Sequence, residues 1–458
     1  MIQSMTQGNP LKLIILFSIP IMIGNLFQQV YILSDLYILG HYLGLHALAV
    51  AGAMTPVFMM AIIFSAGFTN GLCIITAQRF GANDICGVRR SFSGGILLTS
   101  LLCGIVILLI NIFIDEILIQ MNVPTDIYVD SKRFLTIFSY SLLATLFYNY
   151  MAGIMRALGD SRTPLYFLLF ASILNIMINV TFIAYFRWDV TSAALGTGIA
   201  QTVSALLCVF FLFWRFPLLR LKLKDWRINF SFLWKHLKIA LPMSIQFSVI
   251  GMGLIVIQSI CNTFGTDTIA AFTAAGRIEQ IMTMPLFSFG TAMTTYAAQN
   301  YGGRYIRRIR QGVLQCFLLS SVVSFVMALI GYHWGENLAA IFLNHPSAAV
   351  LGQATIFVQI TTLFYFFLGI IFTFRQVFQG MGYPLLPLIS GITELAMRGF
   401  AAWYLSFSYG YIGICFAGPL AWIGGAIIVV AGYFIMIRRF HVSLFGKLNQ
   451  QSPIPRTE

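Results

Sequence analysis

Apolar runs of about twenty residues follow one another along this 458-residue chain, and a run of that length spans the hydrocarbon core of a bilayer. Within lipid every backbone polar group must be satisfied by the segment itself or its barrel neighbours, which leaves helices and closed barrels. The runs are continuous and lack the period-two alternation of barrel strands, so they read as helices. Only 9% of the residues are charged and the mean hydropathy is +0.86. A soluble domain carries roughly 25% charged residues, so this chain lacks the charge to coat a globule of its size. Twelve spans are predicted, at about 11–34, 47–72, 92–114, 133–155, 164–186, 192–214, 237–263, 268–296, 312–334, 351–379, 384–406 and 411–436.

Alternate connections collect the positive charge. One side receives Lys12, then Arg79, Arg89 and Arg90, then Arg156 and Arg162. It also takes the basic stretch from Arg215 to Lys238, the Arg304–Arg310 cluster, and Arg438, Arg439, Lys447 and Arg456. The other side holds Lys132, Arg133 and Arg187 among Asp115, Glu116, Asp126, Asp130, Asp189, Asp267 and Glu336. The positive-inside rule then puts both termini in the cytoplasm. The net charge of +13 reads as topology, helped by anionic lipid, and not as a nucleic-acid footprint. Seven scattered cysteines suggest neither a disulfide framework nor a zinc site. Met1 to Asn9 lacks the basic region and cleavage site of a removable signal, so the first span is expected to be retained.

The chain repeats itself. Ala77-Gln-Arg-Phe-Gly-Ala-Asn83 returns as Ala298-Gln-Asn-Tyr-Gly-Gly-Arg304, an offset of 298 − 77 = 221. Pro20 meets Pro242 at 222, and Arg156-Ala-Leu-Gly-Asp160 meets Gln379-Gly-Met-Gly-Tyr383 at 223. Six spans per copy is an even number, so the copies share one orientation and form a parallel repeat about the membrane normal. The expected organisation is an N-terminal lobe over 1–214, a basic linker over 215–236, a C-terminal lobe over 237–440 and a tail over 441–458. Two such lobes around a central cleft form an architecture that rocks between access states. Prolines Pro20, Pro56, Pro242, Pro285 and Pro419 fall inside spans, as hinges or as static kinks.

Few residues in the spans carry chemistry. Asp35, near the end of the first span, either marks the headgroup region or is a membrane carboxylate with a function. Asn175 and Asn179 are four apart on one face of the fifth span, and Thr197 lies just inside the sixth. All four residues fall in the half of their spans away from the basic turns. Together they would make an oxygen cage for a hard monovalent cation or a hydrogen-bonded cradle for a protonated Asp; the asparagines could equally hold neighbouring helices together. Glu279 and Glu394 are the other two deep carboxylates. Glu394 and Arg398, four apart, can pair directly, as structural glue or as a functional site. Glu279 either faces the cleft or pairs with Arg277 or Arg375. Phe27, Gln28, Tyr31, Phe147, Asn149, Phe247 and Met284 are candidate cleft residues, aromatic and thioether walls being repackable.

Asn25-Leu-Phe-Gln-Gln-Val-Tyr-Ile-Leu-Ser-Asp35, Ala77-Gln-Arg-Phe-Gly-Ala, Met155-Arg-Ala-Leu-Gly-Asp-Ser-Arg-Thr-Pro and Arg277-Ile-Glu-Gln with Ala298-Gln-Asn-Tyr-Gly resemble the MATE family of multidrug and toxic compound extruders, and its bacterial DinF-like branch in particular. The resemblance covers nearly the whole chain. It implies an all-α membrane protein of twelve helices in two lobes, a monomer in the bacterial inner membrane. It implies export of organic, often cationic and aromatic compounds in exchange for H⁺ or Na⁺, with no other cofactor. It places the coupling residues at Asp35, Asn175, Asn179 and Thr197. The family pattern has a carboxylate where this chain has Asn179, which tilts the expectation towards proton coupling or a weaker Na⁺ site. Glu279, Glu394 and Arg398 would form a second coupling or substrate-charge site. A lipid or lipid-linked sugar flippase of related architecture ranks second, because few arginines lie within the spans to grip a pyrophosphate. No HExxH, Gly-x-Ser-x-Gly or Walker A sequence points to an enzyme or to ATP as the energy source.

Overall fold

A computed structural model describes residues 4–343 and 347–449; His345, Arg456 and the end of the predicted tail lie outside the described residues. Thirteen α-helices and no strand occur among the described residues. In chain order they are α1 (Pro10–Gly81), α2 (Ile85–Ile112), α3 (Ile114–Gln120), α4 (Tyr128–Ala157), α5 (Arg162–Val180), α6 (Thr191–Arg215) and α7 (Phe230–Cys261). The remainder are α8 (Thr266–Gly302), α9 (Ile306–Phe342), α10 (Ala348–Leu363), α11 (Tyr365–Met381), α12 (Leu385–Tyr409) and α13 (Tyr411–Asn449).

The twelve predicted spans map onto these helices with two adjustments. The first two spans are one helix, α1, interrupted only at Gly44, whose φ of 76° leaves the helical region. Glycine tolerates that conformation at no steric cost. The tenth span divides into α10 and α11, bent by 50°. Thr361 and Thr362 donate to the carbonyls of Phe357 and Val358 just before the break, back-bonding of the kind that bends helices. Among the described residues eight helices are long and apolar enough to cross a membrane, and the bent pair makes a ninth. Helix α1 supplies two passes in one. Helices α4 and α8 are the more polar spans because they carry Asp130, Lys132, Arg133 and Arg156, and Asp267, Arg277 and Glu279.

The hydrophobic cores show how the lobes meet. Towards the acidic turns each lobe has a core of its own. One is built around Val50, Leu118, Leu135 and Ile183, and the other around Ala275, Ile278, Phe357 and Tyr365. Towards the basic turns the cores are shared. Ala240 and Ala298 join the cluster of Phe92, Tyr150 and Met155, Ile74 and Ile75 pack on Ile239 and Met243, and Leu13, Ile14 and Phe17 of α1 bury among Met293, Tyr296 and Phe378. The lobes therefore share buried cores at the basic face and keep separate ones towards the acidic face. Exposed Lys132 holds the Asp115 carboxyl at 2.6 Å and lowers its pKa, tying α3 to α4 on the acidic side.

Candidate functional site

Asp35 lies well inside a helix. Hydropathy ends the first span at residue 34, yet α1 runs unbroken to Gly44, since a hydrogen-bonded helix does not stop where apolar side chains stop. Its carboxylate points at α5, where Asn179 Nδ2 donates to Asp35 Oδ1 at 2.8 Å and to Asn175 Oδ1 at 3.0 Å. Asn175 Nδ2 in turn donates to Thr197 Oγ1 of α6 at 3.1 Å, and the Tyr31 hydroxyl lies 3.1 Å from the same Thr197 oxygen. Asn175 and Asn179 are each only 1% exposed. The four residues predicted to converge do so, and Tyr31, expected only as a cleft residue, belongs to the same network.

Local sequence explains the convergence. The i, i+4 spacing stacks the two amides on one face of α5. A methyl group at Gly196 would overlap Asn179 Oδ1, so glycine there makes room for the amide. Just beyond Asn179, Thr181–Tyr185 is wound as a π-helix, a local distortion common near functional sites. Gly196→Ala is expected to push the Asn179 amide off Asp35 and to lower the unfolding temperature of the purified protein, overpacking typically costing about 1–3 kcal/mol. Helix content by circular dichroism should stay unchanged.

The C-terminal charges pair differently from the sequence expectation. Glu394 Oε1 meets Arg375 Nη1 of α11 at 2.9 Å, with both side chains 5% exposed, and Ser390 Oγ adds a second donor at 3.3 Å. The expected Glu394–Arg398 pair does not form. Four-residue spacing allows contact, but Arg398 turns instead towards α7, its Nη1 3.1 Å from where a Cβ at Gly253 would lie. Nor does Glu279 form an ion pair with Arg277 or Arg375 among the described residues, where Arg375 pairs with Glu394 instead. Glu394→Gln leaves Arg375 buried without a counter-charge. Such losses cost about 3–5 kcal/mol, to be read as a drop in unfolding stability of the purified protein.

Of the other cleft candidates, Phe27 and Gln28 are exposed and Phe147 and Asn149 half-buried. Met284 is 6% exposed and belongs to the packed interior. Phe247 lines a cavity of about 60 Å³ between the lobes, together with Asn70, Cys73, Arg156, Thr294 and Gln379. Arg156, assigned from sequence to the basic turns, reaches inward to Asn70 Oδ1 at 3.4 Å. A long side chain at a helix end can turn either way, and sequence does not record which.

Below that cavity the repeated Ala-Gln-x-aromatic-Gly motifs clasp one another. Gln78 Nε2 donates to Gly380 O at 2.9 Å, and Gln299 Nε2 to Ala157 O at 2.8 Å. Gln78 and Gln299 are related by the repeat (299 − 78 = 221), and so are Ala157 and Gly380 (380 − 157 = 223). Each lobe thus holds the other with the same pair of atoms. A Cβ at Gly81 would overlap Gln299 O, and one at Gly302 would overlap Gln78 O, so glycine is required at both crossings. Met5 N closes the seam further on Gln299 Oε1 at 2.8 Å.

Comparison with known proteins agrees with this architecture. The MatE family model matches twice, at 20–181 and 242–403, an offset of 242 − 20 = 222. The probable multidrug resistance protein YpnP of Bacillus subtilis is 30% identical over 84% of this chain and 85% of its own. The probable multidrug resistance protein YoeA of the same organism is 25% identical over 75% of this chain and 76% of its own. A solved outward-facing multidrug resistance MATE transporter of the MOP superfamily superposes with a TM-score of 0.87 at 24% identity, covering 96% of this chain and 98% of that one. The chain belongs to the MatE family of multi-pass membrane transporters.

Proposed function

We propose that this protein is a proton-coupled antiporter that exports organic cations across a bacterial cytoplasmic membrane by alternating access, with Asp35 as the group for which proton and drug compete. The observation that carries the reading is the Asp35 network: one carboxylate inside a membrane helix that accepts from the Asn179 amide of α5, which Asn175 links in turn to the Thr197 hydroxyl of α6. An intramembrane carboxylate is costly and marks an ion or substrate path. Proton rather than Na⁺ coupling is favoured by Asn179. Its Nδ2 lies between Asp35 Oδ1 and Asn175 Oδ1, the two oxygens a bare cation would need, and an amide adds no negative charge.

With the basic turns in the cytoplasm, the closed seam faces inward and the parted cores face outward, the state that releases drug and takes up protons. Protonation of Asp35 would remove the charge that attracts a cationic drug. Drug and proton then oppose each other's binding by linkage, which is antiport. Pro20, beside a cavity of about 70 Å³ that also contains Asn25, leaves α1 room to bend as Asp35 changes charge. The relatives named for multidrug resistance support small, chemically varied organic substrates over a flippase's lipid.

Dye efflux from proteoliposomes under an imposed pH or Na⁺ gradient tests the reading. Ethidium efflux driven by the pH gradient alone is expected; efflux driven only by Na⁺ would replace the proton, and no efflux under either gradient would overturn antiport.

A further inference from the structure

A larger cavity, of about 1160 Å³, opens on the basic face directly over the seam. Its lining crosses from lobe to lobe: Arg79 comes from the end of α1, Lys235 from the start of α7, and Arg304, Arg307 and Arg308 from the α8–α9 turn. No carboxylate lines it among the described residues. Two of the five cations are engaged, Arg79 with Asp84 at 2.9 Å and Arg308 with Asn300 Oδ1 at 3.1 Å and Gly8 O at 3.0 Å. Lys235, Arg304 and Arg307 have no side-chain partner among the described residues.

The repeat shows that this charge exceeds what topology needs. In the N-terminal lobe the equivalent turn is Ala82-Asn-Asp-Ile85, and Asp84 both caps α2 through Gly87 N at 2.8 Å and neutralises Arg79. In the C-terminal lobe the same positions read Gly303-Arg-Tyr-Ile306. The carboxylate has become Tyr305, no side chain caps α9, and the asparagine has become Arg304. The turn thus exchanges its one negative charge for an arginine and leaves the first N–H groups of α9 without a side-chain acceptor, all at one cavity.

We infer that this cavity binds a phosphate-bearing polyanion, which engages Lys235, Arg304 and Arg307 of one lobe and, from the other, the edge of the Arg79 guanidinium that Asp84 does not hold. Arginine forks suit phosphate oxygens, and a cavity enriched in one sign of charge concentrates its counter-ion. The lining is drawn from both lobes, so the complete site exists only while the basic face is closed, and an occupant favours that state by linkage. That consequence rests on the lobe movement proposed above; the binding itself does not. Phosphate chemistry can reach the cavity from a free polyphosphate or from an anionic lipid headgroup.

Calorimetric titration of the purified full-length protein with inorganic tripolyphosphate tests the free source. Nanodiscs of phosphatidylcholine with and without phosphatidic acid, read by thermal stabilisation, test the lipid source. Saturable binding in either arm is expected. It should weaken about tenfold for each of Arg304→Gln and Arg307→Gln, since each removes a charged fork that suits phosphate oxygens, and stay unchanged in Arg220→Gln, which lies outside the cavity. Tripolyphosphate binding names the free source and phosphatidic acid binding alone names the lipid. No binding in either arm, or equal affinity in the native protein and the two variants, would overturn the site and leave the arginines to topology alone. Efflux measured in parallel separates this failure from a failure of the antiport reading.

Discussion

Asp35→Asn is expected to reduce gradient-driven efflux by about 100-fold, the upper range of coupling between linked sites, in a protein that still folds. The replacement is nearly isosteric. The carbonyl oxygen of the substituted amide can still accept from Asn179 Nδ2, which donates to Asp35 at 2.8 Å in the native chain, so the helix contacts survive while the titrating charge is lost. Binding of a cationic dye should become independent of pH in the variant, because protonation no longer competes with it. The readouts are ethidium efflux from proteoliposomes and equilibrium dye binding at two pH values. Unimpaired efflux would move coupling to Glu279 or Glu394.

Gly302→Ala, and separately Gly81→Ala, should unlock the basic face. At each crossing the added methyl would meet a backbone carbonyl, Gln78 O or Gln299 O, and backbone cannot turn aside as a flexible side chain can. Overpacking of roughly 1–3 kcal/mol shifts the proposed two-state equilibrium about fivefold to more than a hundredfold towards the form with the lobes apart. Cys73 reports the shift, because it is 6% exposed and lines the cavity between the lobes. In a Cys86→Ser background, which removes the exposed thiol, a membrane-impermeant maleimide applied at the basic face should label Cys73 at least about fivefold faster in either glycine variant. Gln78→Ala and Gln299→Ala should act in the same direction, the first deleting one hydrogen bond and the second two, each of about 1 kcal/mol.

Much of this is legible in the sequence because the bilayer simplifies the problem. Length and hydropathy locate the helices, and the 221–223 offsets reveal the two lobes. Asn175 and Asn179 can be set beside Asp35 because helical spacing and depth fix two of their three coordinates. The third coordinate, the rotation of each helix, is not written in hydropathy. That is why spacing alone pairs Glu394 with its neighbour Arg398 rather than with Arg375, 19 residues away on another helix, and why it leaves Arg156 in a turn. The continuity of α1 past Asp35 is hidden for a related reason, since polar residues at 34–46 signal an end of lipid and not an end of helix. The seam leaves a trace that reads, in the sequence, only as a repeat. A glutamine and a glycine kept at matching positions in both copies are there because each lobe latches the other's backbone.

The central claim is that drug and proton compete for Asp35, and counting protons tests it most directly. Titrating purified protein with tetraphenylphosphonium in weakly buffered detergent solution, at a pH where the site is protonated, should release close to one proton per bound cation. The same titration of Asp35→Asn should release none. Equal proton release from both proteins would contradict the claim and assign the exchanged proton to another group.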